Sequence, residues 1–247
     1  PDAIAVGRAA DVPGLTLVED RFSRMAAHVE DVDGVTLDIG VSSMQLDQAA
    51  RGFSFQSDGP LDMRMEQAGE SAADFLNTAD EGDIADIIYR YGDEPKSRRI
   101  ARAIVAARPV TRTAELASVV RRAVGWREGQ KSDPATRTFQ AVRIHINREL
   151  GELEDGLEAA ERVLKAGGRL AVVTFHSLED RIVKQAFAAA ARDCICPPRV
   201  PVCTCTNQAT LRLINKHPIT ASDEEIAVNP RSRSAKLRAA ERLERAA

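Results

Sequence analysis

The chain has 247 residues, with 34 basic and 37 acidic side chains for a formal charge of −3, and 44% of its residues are hydrophobic. That is enough to bury one large domain or a core with an insert, while no apolar run approaches the roughly 20 residues of a membrane span and no signal-peptide pattern opens the chain. A cytoplasmic protein without a membrane partner is expected, and with balanced charge and 4% aromatics any nucleic-acid contact must come from local basic patches.

Hydrophobic periodicity predicts a helix over Asp2 to Ala10, a strand over Leu15 to Val18, and a short helix with Phe22, Met25, Ala26 and Val29 on one face. The next strand, Val35-Thr-Leu-Asp38, ends in a carboxylate, and a Gly- and Ser/Gln-rich turn follows as far as Asp47. This alternation predicts a parallel sheet. Polar side chains just past the carboxyl end of a buried parallel strand face the crevice where ligands sit, which makes Asp38 and Gln45 the first site candidates. The competing reading is that Asp38 caps a turn and Gln45 is merely exposed. The following segment, Arg51 to Met65, mixes aromatics, acids and Arg without any period, and ordered loops of this length are usually functional.

From Ser71 to about Trp126 the pattern is helical throughout. Ile84, Ile87, Ile88 and Tyr91 share a face that Gly92 should end; Ile100, Ile104 and Val105 mark a second helix; Leu116, Val119, Val120 and Ala123 mark a third that runs to Gly125. Pro134 suits the start of a long helix, straight or bent, whose stripe of Phe139, Val142, Ile146, Leu150, Leu153, Leu157 and Leu164 stops at Gly167-Gly168. Leu170 to Phe175 is the next buried strand, and His176-Ser-Leu-Glu-Asp180 lies at its carboxyl end. The implied organisation is a sheet domain of residues 1–66 and 134–247 interrupted by a helical insert of residues 67–133.

Two further patterns carry chemistry. Cys194, Cys196, Cys203 and Cys205 form C-x-C-x6-C-x-C in a Pro-rich loop; the four thiolates either hold a structural zinc or stay reduced, a cytoplasmic setting disfavouring disulfides. Lys96-Ser-Arg-Arg99 with Arg102, and Arg231-Ser-Arg-Ser-Ala-Lys-Leu-Arg238, are the natural nucleic-acid contacts or else solvated charged faces. No serine hydrolase is implied, since the G-x-S-x-G turn is absent.

The stretches Arg51 to Met65, Pro134 to Ile144, Thr174 to Lys184 and Asn229 to Arg238 together resemble one family over nearly the whole chain. It is the bacterial 16S ribosomal RNA cytosine-N4 methyltransferase family, RsmH or MraW. The resemblance implies a class I, Rossmann-like S-adenosylmethionine-dependent methyltransferase sheet with an all-helical insert, acting on a cytosine in the decoding region of 16S rRNA in the small ribosomal subunit. It implies that Phe22 packs on the adenine side and that Asp38 and Gln45 contact the cofactor. His176, Ser177, Asp180 and Arg181 would help seat the cytidine or its phosphates, with Asp38 and His176 the catalytic candidates, although His176 reads equally as a hydrogen-bonded structural residue. Asp62, Arg64, Arg137, Thr138 and Gln140 are substrate-side candidates whose alternative is a salt-bridged loop and helix start, and Arg231 and Arg233 are candidate RNA contacts. Periodicity alone makes Ser234 to Ala247 a helix, whereas the resemblance implies an antiparallel strand over Ser234 to Ala240 beside Thr210 to Ile214. The family's first strand, its GxGGH loop and the acidic end of its second strand have no counterpart in this chain, so the alternative is a non-catalytic RNA- or ribosome-binding fragment with an open sheet edge prone to aggregation.

Overall fold

Short β-branched runs and longer 3.6-period stripes alternate along the chain, and the computed structural model turns them into five strands and ten α-helices over residues 2–10, 12–66, 68–127, 129–130, 133–197 and 202–244. In order these are α1 (Asp2–Ala9), β1 (Val32–Asp38), α2 (Ser43–Asp47), α3 (Ala72–Thr78), α4 (Glu81–Gly92), α5 (Ser97–Ala106), α6 (Thr113–Val124) and α7 (Ala135–Asn147). They continue as α8 (Glu149–Val163), β2 (Leu164–Thr174), α9 (Ser177–Ala190), β3 (Leu211–Leu213), β4 (Ile219–Thr220), α10 (Asp223–Val228) and β5 (Lys236–Arg242). Two compact units result, one from residues 1–40 and 150–247 and one from residues 41–149. Residues 41–66 and 134–149 thus pack with the helices, whereas the sequence pattern sets the boundaries at 66/67 and 133/134.

The first unit is built on a mixed sheet of order β1-β2-β5-β3, with β4 also paired to β5. β1 and β2 run parallel, Leu37 facing Val172 and Asp38 facing Val173, while β5 returns antiparallel to β2 with Ala240 opposite Leu170. The strand implied by the resemblance therefore replaces the helix that periodicity alone predicts at the carboxyl end. Leu37, Leu170, Val172 and Ala240 bury one sheet core with Leu153, Leu157 and Ala160 of α8 and Val183 and Phe187 of α9. Each such side chain, fully buried, contributes about 1.5–3 kcal/mol relative to exposure.

Three expectations are corrected here. Leu15 to Val18 forms no strand, and with Leu15 50% and Val18 46% exposed it has no ladder in which to pair. The short helix at Phe22 is of the 3-10 type, Phe22–Ala27, and ends before Val29. The long helix after Pro134 is two helices, broken where Arg148 takes a left-handed φ of 50°. Its hydrophobic stripe runs on because α7 and α8 each bury one face. β2 also starts earlier than expected, at Leu164, because Gly167, at φ 77°, turns within an extended segment rather than ending a helix.

The second unit packs α4, α5, α6 and α7 around Ile84, Ile88, Ile100, Ile104, Leu116, Val120, Phe139 and Val142. The aperiodic segment after Arg51 is part of that core, because Leu61 and Met63 are fully buried. Backbone bonds from Leu61 to Thr111 (2.9 Å) and from Met63 to Arg51 (3.1 Å) hold it. Asn147 clamps it from α7, donating to Met63 O (2.8 Å) and accepting from Met65 N (2.7 Å).

Gly92 lies inside α4, and the left-handed cap is Asp93, at φ 48°. The glycine serves a close crossing, since a Cβ there would lie 2.7 Å from Arg137 O and 3.4 Å from Ala141 Cβ on α7. Replacing Gly92 with Ala is expected to cost about 1–3 kcal/mol by overpacking. Gly82, in the same helix with open space around it, is expected to accept Ala at no cost or with a gain of up to about 1 kcal/mol. Denaturant midpoints of the two variants check this.

Candidate active site

The parallel pairing of β1 and β2 sets two polar chain segments side by side at their carboxyl ends. Ile39 N donates to Val173 O at 3.3 Å, continuing the ladder one step past Asp38. Gly40, at φ 105°, then turns away, and a Cβ at that position would meet the Phe175 ring at 3.3 Å. Asp38 is left exposed at the end of β1, and among the described residues its carboxylate has no hydrogen bond or ion pair. The competing turn-cap reading finds no support there.

His176 is the N-cap of α9. Its Nδ1 accepts from Glu179 N at 3.4 Å, and Glu179 Oε2 accepts from Phe175 N (2.8 Å) and His176 N (3.1 Å). The His176 Nε2 is 3.0 Å from Glu179 Oε1 and has no hydrogen-bond partner among the described residues. This capping box makes His176 a positioning group for the strand-to-helix turn. Burial pushes the Glu179 carboxyl up, but the His176 ring and the Phe175 and His176 amides outweigh it, and the group stays below the usual glutamate range. Sequence reasoning missed Glu179, because the usual capping signature carries Ser, Thr, Asp or Asn where His176 stands.

The next residue does a different job. Asp180 is buried, takes Arg238 Nε at 2.7 Å and Nη2 at 3.3 Å, and has Lys236 Nζ at 3.4 Å, tying α9 to β5. Burial raises its proton affinity, but Arg238 and Lys236 overcome that and hold it down. Ser177 and Arg181 lie exposed on the first turns of α9, and Arg231 and Arg233 are exposed on the 3-10 turn before β5. Phe22 is half-buried, its ring filling the hollow over Gly156 of α8 where a Cβ would otherwise sit.

In the second unit Gln45 closes a capping box on α2, its Oε1 accepting from Ser42 N at 2.9 Å. Asp62 and Arg64 form a two-pronged pair (2.9 and 2.7 Å), and the Arg64 guanidinium, ahead of the opposing burial, holds the Asp62 carboxyl low. Arg137 donates to Asp93 O (3.2 Å) and Gln140 to Tyr91 O (3.0 Å), both at the crossing beside Gly92. Thr138 is fully buried, with no partner for its hydroxyl among the described residues. No described helix is long and apolar enough to cross a membrane.

A parallel strand pair extended by antiparallel strands, flanked by helices and offering a free carboxylate past one strand's carboxyl end, is the core of an α/β methyltransferase domain of the Rossmann-like type. The chain belongs to the MraW methylase family, whose model matches residues 3–243. It is 58% identical over 257 residues to the "Ribosomal RNA small subunit methyltransferase H" of Rhizorhabdus wittichii, covering 98% of this chain and 78% of that one. The proteins of the same name from Sphingopyxis alaskensis (58% over 251 residues, 98% and 77% covered) and Dehalococcoides mccartyi (54% over 233 residues, 92% and 66% covered) are similar to it as well. Membership in a methylase family implies S-adenosylmethionine as methyl donor, and the exposed Asp38 carboxylate fits that cationic, amine-bearing molecule.

Glu179 and Asp180 both have lowered folded-state affinities for protons. Their stabilisation is therefore full above the ordinary carboxylate range and is lost as the pH falls through their lowered values. Denaturant titrations from about pH 7 down to about pH 3 should show a fall in stability that is shallower in E179Q and D180N. At neutral pH, D180N should itself cost about 3–5 kcal/mol, because Arg238 stays buried without its partner.

Proposed function

We propose that the chain methylates the exocyclic N4 of a cytidine in the decoding region of 16S rRNA, acting on the small ribosomal subunit. The observation that carries this reading is the Asp38 carboxylate, without a partner among the described residues, at the end of the parallel β1–β2 pair, supported by the name of the similar proteins.

The cytosine amine is a poor nucleophile because its lone pair is delocalised into the ring. S-adenosylmethionine supplies a methyl already bound to a good leaving group, and what remains for the protein is alignment and charge management. Positioning of this kind is worth several kcal/mol. Asp38, fixed by the ladder on one side and by the Gly40 turn on the other, accepts a hydrogen bond from an amine and stabilises positive charge that develops there. Phe22 offers an apolar edge on the adenine side. Gln45 retains its amide NH2 for the cofactor while its oxygen holds Ser42.

On the substrate side the exposed groups are Ser177 and Arg181 on α9 and Arg231 and Arg233 beyond α10. Asp62 with Arg64, and Arg137 with Gln140, shape their loop and helix start from the second unit. His176 acts through Glu179 by setting the α9 turn and transfers no proton. A cytosine paired or stacked in RNA hides its amine, so the substrate base is unpaired or extruded. With a net charge of −3 the protein has little electrostatic grip on RNA, and the shape of an assembled subunit supplies specificity.

The test is transfer of labelled methyl from S-adenosylmethionine to unmodified small subunits, by this chain and by the same chain extended at its amino end with a relative's GxGGH-bearing segment. Label on a single rRNA cytidine N4, mapped by mass spectrometry of the digested RNA, is the expected result. D38A should lower the rate about 100-fold, the scale of losing one polar group at a reacting centre, and R231A/R233A should raise the apparent KM for subunits while leaving S-adenosylmethionine binding unchanged. Absence of label from both forms would refute the reading.

A further inference from the structure

The loop between α9 and β3 contains nothing that explains its shape by ordinary packing. None of its described residues from 191 to 210 is buried, and Ile195 and Val202, its largest aliphatic side chains, are 63% and 70% exposed. Its base is anchored, with Thr210 N donating to Ala190 O at 2.8 Å and Ala209 N to Asp193 Oδ1 at 3.3 Å. Further out, among the described residues, the four cysteine sulfurs converge.

The four cysteine Sγ atoms lie within 4.8 Å of one another. Four of the separations are 3.4 Å (Cys194 to Cys203), 3.5 Å (Cys203 to Cys205), 3.6 Å (Cys194 to Cys205) and 3.8 Å (Cys196 to Cys203). A disulfide needs about 2.0 Å, so none of these pairs is bonded, and all four cysteines are free. A zinc ion with Zn–S bonds of about 2.3 Å requires tetrahedral edges of about 3.8 Å, and the four separations lie at or a few tenths of an ångström below that figure. Two backbone amides also point at the sulfurs: Ile195 N donates to Cys205 Sγ (3.5 Å) and Cys196 N to Cys194 Sγ (3.4 Å). Such N–H···S bonds are the outer layer that orients and stabilises thiolate ligands around a metal.

We propose that Cys194, Cys196, Cys203 and Cys205 bind one structural zinc ion, which staples the loop between α9 and β3. On binding, the four thiols give their protons to solvent and four Zn–S bonds form, with no change of oxidation state. Four sulfurs complete the coordination shell, so the ion holds no water or substrate and takes no part in methyl transfer. A tetrahedral set of four thiolates also suits iron, but this site is open to solvent, where a redox-inert ion is the better fit. A loop with no core of its own gains its order from such a staple.

The test uses the full chain purified anaerobically with reductant and zinc, then freed of loose metal. Elemental analysis should find equimolar zinc, released in step with modification of four thiols by a mercurial. Cobalt substitution should give the visible bands of tetrahedral Co(II) and the near-ultraviolet thiolate charge-transfer bands. The C194S/C203S chain should lose the metal and the bands while keeping its circular dichroism, and limited proteolysis should then cut it between residues 191 and 210. A folded, metal-free chain with four titratable thiols would overturn the proposal. So would a disulfide-bonded loop, iron in place of zinc, or zinc retained by the double variant.

Discussion

The parallel pairing of β1 with β2 is the constraint on which the rest of the first unit depends. It joins residues 32–38 to residues 164–174, far apart in sequence, and it places Leu37 and Val172 in the core that α8 and α9 cover. Because both strands end on the same side, it also puts Asp38 and the His176 turn at one edge of the sheet. A slip of one residue would turn Leu37 outward and Asp38 inward. Burial of Leu37 and freedom of Asp38 are thus two consequences of a single register.

Adjacent carboxylates in α9 divide the work of holding that edge. Glu179 turns inward to the backbone of the strand that has just ended, closing amides that would otherwise be left open at a helix start. Asp180 faces the sheet and pairs with Arg238 across it. Arg238, opposite Val172 in the register, is a charge in the middle of a strand and stays buried only because Asp180 meets it. Much of the polarity of the segment Thr174 to Lys184 therefore serves to hold this edge of the sheet together.

The strand at Val35, the helices at Ile84, Ile100 and Leu116, and the strand at Leu170 were legible because apolar runs and helical stripes there coincide with burial. The exposed position of Asp38 at the end of β1 was legible from its place after an apolar run. Leu15 to Val18 misled because an apolar run of four says nothing about whether a neighbouring strand exists. The α7 to α8 break was hidden because both helices carry an apolar stripe in phase, and nothing in Asn147-Arg148-Glu149 announces a left-handed residue. The closing strand at Lys236–Arg242 has alternating burial only against β2 and β3, so it was readable by resemblance and not by period. Gln45, Asp62 and Arg137 were singled out by position, but their hydrogen bonds to Ser42, Arg64 and Asp93 could not be foreseen, since each depends on a local turn.

The chain's interrupted layout bears on the order in which it folds during synthesis. Residues 41–149 form a continuous compact unit, rich in local helix contacts, and it is complete before β2 has been made. β1 emerges earlier but cannot pair with β2 until the whole helical unit between them has been made, and β5 joins β2 later still. Long-range parallel pairings are slow because the loop between them must be closed first. A helical unit that folds early shortens that loop, so the insert works as a folding aid for the sheet it interrupts.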